Sequence, residues 1–293
     1  MLGRGNVLIA QGTHGRIYKI SNSQVAKVFE NRVFNKECIC SRIRTSCKTT
    51  CDHIHHEYLV QKLLYDELMG KTQIKIKIPQ PLEYHMDARK HECQIKMEYI
   101  HPSSNTNRPN LIGNNNQLIQ INMGEPHMDD IMPGVGRFLG INRLDLSNCD
   151  ISRPDELAFE LGRLFSYLHY VLRLDGFDCE LVLGRGGDNK YTNKDNIFFI
   201  DFDKVACFEF ILGYVVNRKI DENLIEPKTL DSVLKFAWFL LGGITGMSLL
   251  PSNSELKDRF QEGYSSYAPD DDNGIAWQVY KKVQELINEK NNF

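Results

Sequence analysis

The sequence predicts an α+β fold, in which a small antiparallel sheet is followed by a mainly helical region. Short alternations of apolar and polar residues, typical of strands, occur through the first hundred of the 293 residues. Helical spacing of leucines dominates after residue 150. Between them, residues 101–110 are rich in Pro, Ser and Asn. We therefore expect two parts, at 1–100 and 111–293, joined by this linker.

Several strands are expected in the first part. Residues 6–30 alternate apolar and polar positions, with turn-forming residues at Gly12–Gly15 and Ser21–Ser23. Ile74–Ile78 alternates strictly between Ile and Lys, and Gln94–Ile100 is a further run of strand type. The pattern predicts three strands at the start, a half-exposed strand at 74–78 and one more strand leading into the linker.

One helix is expected between these strands. Helical spacing runs from His55 to Met69, and Gly70 is a suitable stop. The expected apolar face is formed by three leucines: Leu59, Leu63 and Leu64.

The second part predicts helices around two short strands. Pro154 favours a helix start, because proline at the first helical position sacrifices no hydrogen bond. Strands are expected at Glu180–Leu183 and Asn196–Ile200, and a buried helix at Asp231–Gly242. A last amphipathic helix is expected from five apolar positions: Ile275, Val279, Val283, Leu286 and Ile287.

Composition argues against several classes of partner. The 35 basic and 38 acidic residues nearly balance, so we expect neither nucleic acid nor an anionic membrane surface as a partner. Eight cysteines and no apolar leader predict reduced thiols, no secretion signal and a cytoplasmic or nuclear location. Lys235 shortens the apolar run Val233–Leu250 to about fifteen residues, below the roughly 20 that span a bilayer. No membrane span is expected.

Two glycines and a lysine near the start form a pattern suited to phosphate. Gly12 and Gly15 follow Ala10 in a strand-like run, and Lys27 lies in the strand Val25–Phe29. A glycine-rich hairpin lets backbone N–H groups approach phosphates, and a strand lysine can reach the same groups. The pattern resembles the G-x-G-x-x-G-x-V loop and V-A-I-K strand of the protein-kinase-like superfamily, with Ala10 in the place of the first glycine.

This resemblance implies a bilobal kinase-like fold that uses ATP and Mg²⁺. Residues 1–100 would be the nucleotide-binding N-lobe with a Cys-rich insertion at 36–56, residues 101–110 the hinge, and residues 111–293 the C-lobe. The implied reaction is phosphoryl transfer to an unknown protein or small-molecule acceptor.

The resemblance also implies a glutamate partner for Lys27 on the following helix. Glu57 is the first candidate, and Glu37 and Glu67 are the alternatives. The alternative is that Glu57 does not pair with Lys27 and is an ordinary solvent-exposed residue of the helix.

The run Met97-Glu98-Tyr99-Ile100 resembles the hinge of protein kinases. The resemblance places Met97 at the back of the nucleotide pocket and the main chain of Glu98 and Ile100 against the base. The alternative is an ordinary strand.

The strand that ends in Ile200-Asp201-Phe202-Asp203 resembles the D-F-G motif, with Asp203 in the place of glycine. Kinases of the choline-kinase and aminoglycoside-phosphotransferase type are similar here. By this resemblance Asp201 is a Mg²⁺ ligand, since a carboxylate at a strand end is well placed to hold a metal that bridges phosphates. The alternative is a strand-terminal turn, where Asp is common.

By the same resemblance, residues 173–183 stand in the place of the kinase catalytic loop H-R-D-x-x-x-x-N, although they lack its H-R and Asn elements. With Asp175 as the base, Glu180 falls in the asparagine's place and can ligate Mg²⁺. With Asp178 as the base, that place falls on Leu183, which cannot. Asp175 with Glu180 is preferred, and Asp178 remains the rival. Residues 160–205 are also similar to a fungal kinase-like family of uncharacterised function.

Four cysteines lie close together in the insertion: Cys38, Cys40, Cys47 and Cys51. Thiolates suit tetrahedral Zn²⁺, although C-x-C-x6-C-x3-C is not a standard zinc spacing. The sequence leaves two interpretations, a structural zinc site or a basic loop with free thiols.

Three functional classes follow from these patterns. The first is an active ATP- and Mg²⁺-dependent phosphotransferase. The second is a pseudokinase, favoured by the missing H-R, Asn and A-P-E elements. The third is a zinc-dependent interaction protein built on the cysteine cluster.

Overall fold

The computed structural model describes most of the chain as far as residue 205 and one helical segment near its end. The described residues are 6–11, 15–33, 49–103, 118–123, 131–132, 136–141, 144–174, 176, 179–186, 194–202, 205, 251 and 254–267.

A five-stranded antiparallel sheet, the first sheet, holds the start of the chain. Its strands are β1 (Val7–Gln11), β2 (Arg16–Lys19), β3 (Gln24–Glu30), β4 (Pro81–Asp87) and β5 (Glu92–Glu98). Their order is β1-β2-β3-β5-β4, so β3 is hydrogen-bonded on both sides. The prediction of three strands within residues 6–30 is confirmed.

Helix α1 (Thr50–Leu68) packs against β3, β4 and β5 of this sheet. It begins five residues before the predicted start, because Thr49 and Asp52 form a capping box in which each side chain accepts from the other's backbone N–H. Beyond its end, Gly70 has φ +84°, which glycine adopts without strain.

The buried face of α1 is not the one that the leucines predict. Leu59 and Leu63 are 50% and 41% exposed, and of the three leucines only Leu64 is buried. The buried face instead includes Glu57 and Gln61, two polar residues that find partners inside the protein. Apolar spacing could not reveal a face that is partly polar.

A second, six-stranded sheet follows the first. Its strands are β6 (His101–Pro102), β7 (Ile119–Asn122), β8 (Ile131–Met132), β9 (Gly136–Gly140), β10 (Glu180–Arg185) and β11 (Asn196–Ile200). The order is β11-β10-β7-β9-β8, and β6 also pairs with β10. The strands at 180–183 and 196–200 are as predicted, but β7, β8 and β9 lie where a mainly helical region was expected. That expectation is wrong for these residues.

The connector between α1 and β4 joins the second sheet. Ile74, Ile76 and Ile78 are buried, as their alternation predicts. The Lys77 N–H donates to Ile197 O at 2.8 Å, and the Phe199 N–H donates to Lys77 O at 2.9 Å. Residues 74–78 therefore extend the sheet beside β11 through one bridge rather than forming a full strand.

The helices of the second part pack on each other. Helix α2 (Pro154–Ser166) begins with the predicted proline and continues into a π-helical turn at Tyr167–Leu172. Helix α3 (Ser254–Tyr264) packs closely along α2. Gly162 permits this approach, since a Cβ there would lie 2.0 Å from Phe260 O.

The largest apolar core combines residues of both parts, including Leu64 of α1, Ile76 of the connector, Leu161 of α2 and Phe199 of β11. The helices expected at residues 231–242 and 275–287 lie outside the described residues, as does the linker beyond residue 103.

Candidate functional site

The site is centred on Lys27 in the middle of β3. Its backbone is fixed from both sides, because it pairs with Ile17 of β2 and with Ile95 of β5. The Nζ atom lies 5.4 Å from the centre of the Phe29 ring. The sheet therefore fixes the backbone of Lys27 and the direction in which its side chain leaves the strand.

Glu57 of α1 binds Lys27 directly. The Lys27 Nζ donates to Glu57 Oε1 at 2.8 Å, and the glutamate side chain is only 3% exposed. Burial raises the pKa of Glu57, while the charge of Lys27 opposes that rise. Its second oxygen, Oε2, is buried and accepts no hydrogen bond within the described residues. Of the three glutamate candidates, Glu57 is the one that the structure brings to Lys27; Glu67 pairs with Lys71, and Glu37 lies outside the described residues.

Asp201 approaches Lys27 from the other side. The Lys27 Nζ donates to Asp201 Oδ1 at 3.1 Å, and the aspartate side chain is 37% exposed. Asp201 follows β11 directly and has φ 66°, in the left-handed region that is unusual for residues other than glycine. Lys27 is therefore held between a buried carboxylate and an accessible one.

Glu180 begins β10 and lies opposite Ile200, next to Asp201. Burial, and then the negative charge of Asp201, raise the pKa of Glu180 to about 7. The Gln120 side chain on β7 donates to Glu180 Oε2 and favours its charged form. Gln120 was missed by sequence reasoning, since one glutamine in an apolar strand carries no local signal.

The carboxylates of Asp201 and Glu180 repel each other, which favours the binding of a divalent cation between them. The charges of Asp201 and Glu180 disfavour each other, so a cation that neutralises both would be stabilised by oxygen ligands that Mg²⁺ prefers. Within the described residues, no group of three or more His, Cys, Asp or Glu side chains is arranged to hold a metal. Any cation here needs further oxygen ligands, such as water or phosphate.

The residues expected to contact the adenine base of ATP lie on β5 and directly after it. Met97 contacts α1, where its Sδ is 4.0 Å from Gln61 Nε2. The Glu98 N–H donates to Gln80 O at 2.9 Å. Ile100 is buried with Val182 of β10 in a small apolar cluster.

Of the two loop glycines, the structure describes only Gly15. A Cβ at Gly15 would lie 2.6 Å from Phe29 Cε1, so a larger residue at this position, just before β2, would displace the Phe29 ring. Gly12 lies outside the described residues.

The candidate bases Asp175 and Asp178 also lie outside the described residues. Between them Gly176 packs on Phe165, because a Cβ there would lie 2.4 Å from Phe165 Cε1. The choice between the two aspartates stays a prediction.

The expectation of reduced thiols is wrong at one pair of cysteines. Cys51, in the first turn of α1, forms a disulfide with Cys93 of β5, with 5.6 Å between the Cα atoms. A disulfide sulfur lacks the thiolate charge that a zinc ligand needs, so Cys51 does not fit that role in this state. Cys38, Cys40 and Cys47 lie outside the described residues.

A second buried polar cluster escaped sequence reasoning. Asp195 is fully buried beside β11; its Oδ2 accepts from Ser103 Oγ, and its Oδ1 lies 3.9 Å from Arg185 Nε. Burial raises the pKa of Asp195. These contacts fix the start of the linker to the second sheet.

In the part of the chain that the structure describes, no helix combines the length and apolar character needed to cross a membrane. The apolar run at 233–250 lies outside the described residues.

Comparison with known proteins adds little to this geometry. No protein-family model matches the chain. No curated protein matches it. One solved structure, described as the crystal structure of a kinase domain, aligns over 97% of this chain and 84% of its own, with 15% identity and a TM-score of 0.34. At that level the likeness is weak and carries no argument about activity. The described residues themselves form a mixed α/β structure.

Proposed function

We propose that this protein is a divergent kinase-like phosphotransferase that uses ATP and Mg²⁺. The observation that carries the proposal is the contact of Lys27 Nζ with both Glu57 Oε1, at 2.8 Å, and Asp201 Oδ1, at 3.1 Å. Three residues separated by up to 174 positions meet at one ammonium group, and the pairing of Lys27 with a helix glutamate is the one that the kinase-like resemblance implies.

Each residue has a role that follows from its place. Lys27 would bind the phosphates of ATP, and Glu57 would fix the direction of its side chain, because a buried carboxylate holds a lysine better than water does. The loop at Gly12 and Gly15 would cover the phosphates, and Asp201 would bind the metal.

The adenine base of ATP would lie between the two sheets of the kinase-like arrangement. In this proposal Met97 closes the back of the pocket, the main chain of Glu98 and Ile100 contacts adenine, and the Ile100–Val182 cluster supplies an apolar surface. Such pockets are mostly apolar with a few polar groups that set orientation.

Mg²⁺ would supply positive charge that neutralises the phosphate oxygens during transfer. Asp201 and Glu180 are the residues that would hold it. Asp175, with Asp178 as its rival, would orient the acceptor hydroxyl.

Thermal denaturation with ATP and Mg²⁺ tests this proposal. A ligand present at a hundred times its dissociation constant stabilises the native state by about 2.7 kcal/mol. We expect a clear rise in Tm for the wild type and none for Lys27→Met, which keeps most of the length of the side chain and removes its charge. No shift at millimolar nucleotide in a folded wild type would refute the nucleotide site.

The identity and the raised pKa of Glu180 favour a second candidate function. In this alternative the protein is a pseudokinase, which binds nucleotide with little catalysis. A glutamate stands where the kinase-like pattern has asparagine, and burial and the charge of Asp201 raise its pKa to about 7, so a cation that binds there would have to displace a proton from part of the molecules at neutral pH. The two candidates differ in turnover. Nucleotide binding without ATP hydrolysis above the Lys27→Met background favours the pseudokinase.

A further inference from the structure

Helix α1 contacts the chain beyond Asp201 at a second point. His56, the neighbour of Glu57, has its Nε2 atom 3.0 Å from Val205 O. A carbonyl oxygen can only accept a hydrogen bond, so His56 Nε2 carries the proton and donates it. This contact has no role in the proposed function as stated above.

The chain after Asp201 is held by buried groups. Phe202 and Val205 are each 1% exposed and belong to the large apolar core. The Phe202 ring meets the Phe199 ring edge-on, with 5.6 Å between their centres. The Val205 N–H donates to Phe202 O at 3.3 Å, which ties Val205 to the residue that follows Asp201.

Asp201 itself has a backbone conformation that needs support. Its φ of 66° is in the left-handed region, where the Cβ of an L-residue is crowded. Residues persist in such conformations when the surrounding structure fixes them. Here Lys27 fixes the side chain, and the core and His56 fix the chain that follows.

We propose that His56 is a positioning residue, which holds Asp201 against Lys27 by anchoring the Val205 carbonyl to α1. Because His56 and Glu57 are consecutive, one turn of one helix sets both the direction of Lys27 and the path of the chain after Asp201. Any effect of His56 on metal and nucleotide binding rests on the proposed function. The anchoring of Val205 by His56 does not rest on it.

Three variants separate the hydrogen bond from general packing. His56→Leu removes the donor, whereas His56→Gln keeps an N–H donor on a side chain of similar reach. His55→Leu is the matched control, since His55 is on the same turn and its ring stacks on Tyr84 of β4 at 4.5 Å. Circular dichroism checks each fold, and His56→Ala replaces His56→Leu if the latter does not fold.

Hydrogen exchange without ligand tests the anchor. The loss of one hydrogen bond changes a local opening equilibrium by about twofold to tenfold. We expect the peptide that spans residues 197–205 to exchange faster by that factor in His56→Leu, and to keep the wild-type rate in His56→Gln and His55→Leu. An unchanged rate in His56→Leu, or an equal increase in either of the other two variants, overturns the proposal.

Calorimetry with ATP then tests the consequence. The ratio of ATP dissociation constants without and with Mg²⁺ should fall in His56→Leu by a similar factor and be retained in His56→Gln. A merely structural role would lower Tm and leave this ratio unchanged. If the wild type binds no ATP while exchange responds as expected, the proposed function fails and the anchor is supported.

Discussion

Replacement of Glu180 by glutamine should stabilise the metal-free protein increasingly as the pH rises. The pKa of Glu180 is raised from 4.5 to about 7, mainly because burial disfavours its charged form. Each unit of pKa corresponds to about 1.36 kcal/mol, so ionising Glu180 in the folded protein costs about 3 kcal/mol.

The sign of the pH dependence follows from linkage. A carboxyl group whose pKa is higher in the folded state contributes stability below its unfolded pKa of 4.5, and this is lost as the pH rises through about 7. Between pH 5 and pH 8 the wild type should lose about 2 to 3 kcal/mol from this group. Glu180→Gln has the same shape and can still accept from Gln120, but it has no charge to bury.

Urea denaturation in a chelating buffer at pH 5 and pH 8 measures this difference. The unfolding free energy of Glu180→Gln relative to wild type should increase by about 2 to 3 kcal/mol between the two pH values. Glu83→Gln is the control, because Lys96 lowers the pKa of the exposed Glu83 and no such increase is expected. If the two variants show the same trend, burial of Glu180 is not the cause.

Three further predictions concern other residues. The Cys51–Cys93 disulfide closes a loop of 42 residues, and its reduction should lower the free energy of unfolding by up to about 4 kcal/mol. The variant with both cysteines replaced by serine should show the same loss on urea denaturation. An unchanged urea midpoint would contradict this prediction. Asp201→Asn should remove most of the Mg²⁺ dependence of ATP binding, measured by calorimetry, while the fold is retained; equal dependence in both proteins counts against a metal role. Asp175→Asn should leave ATP affinity nearly unchanged and depress hydrolysis strongly, with a mild effect of Asp178→Asn; the reverse result would show that the loop is misaligned.

Local patterns in the sequence predict part of this fold well. The strands within residues 6–30 and the segment at 74–78 are recognisable, because apolar and polar residues alternate in them with a period of two. At 74–78 this alternation buries Ile74, Ile76 and Ile78. The helix start at Pro154 follows from the chemistry of proline alone. These elements depend on neighbouring residues, which the sequence displays directly.

Features that depend on distant partners were not predictable in this way. The buried face of α1 contains Glu57 and Gln61, whose partners lie on β3 and at Pro79. The strands β7 to β9 depend on pairing with β10, and Asp195 depends on Ser103, 92 residues away. The resemblance to kinases predicts roles for Glu57 and Asp201. That both side chains contact Lys27 is seen only in the folded chain.

Helix α1 is tied at both ends, and this limits how the site can change. At its first turn Cys51 is bonded to β5, and beyond its last turn Lys77 shares two main-chain hydrogen bonds with β11. A displacement of the first turn away from the first sheet would have to break the disulfide. The pairing of Glu57 with Lys27 is therefore a standing arrangement rather than one that a partner must assemble. A reducing environment would release the first turn of the helix from β5, while the hydrogen bonds of Lys77 to β11 would not be affected.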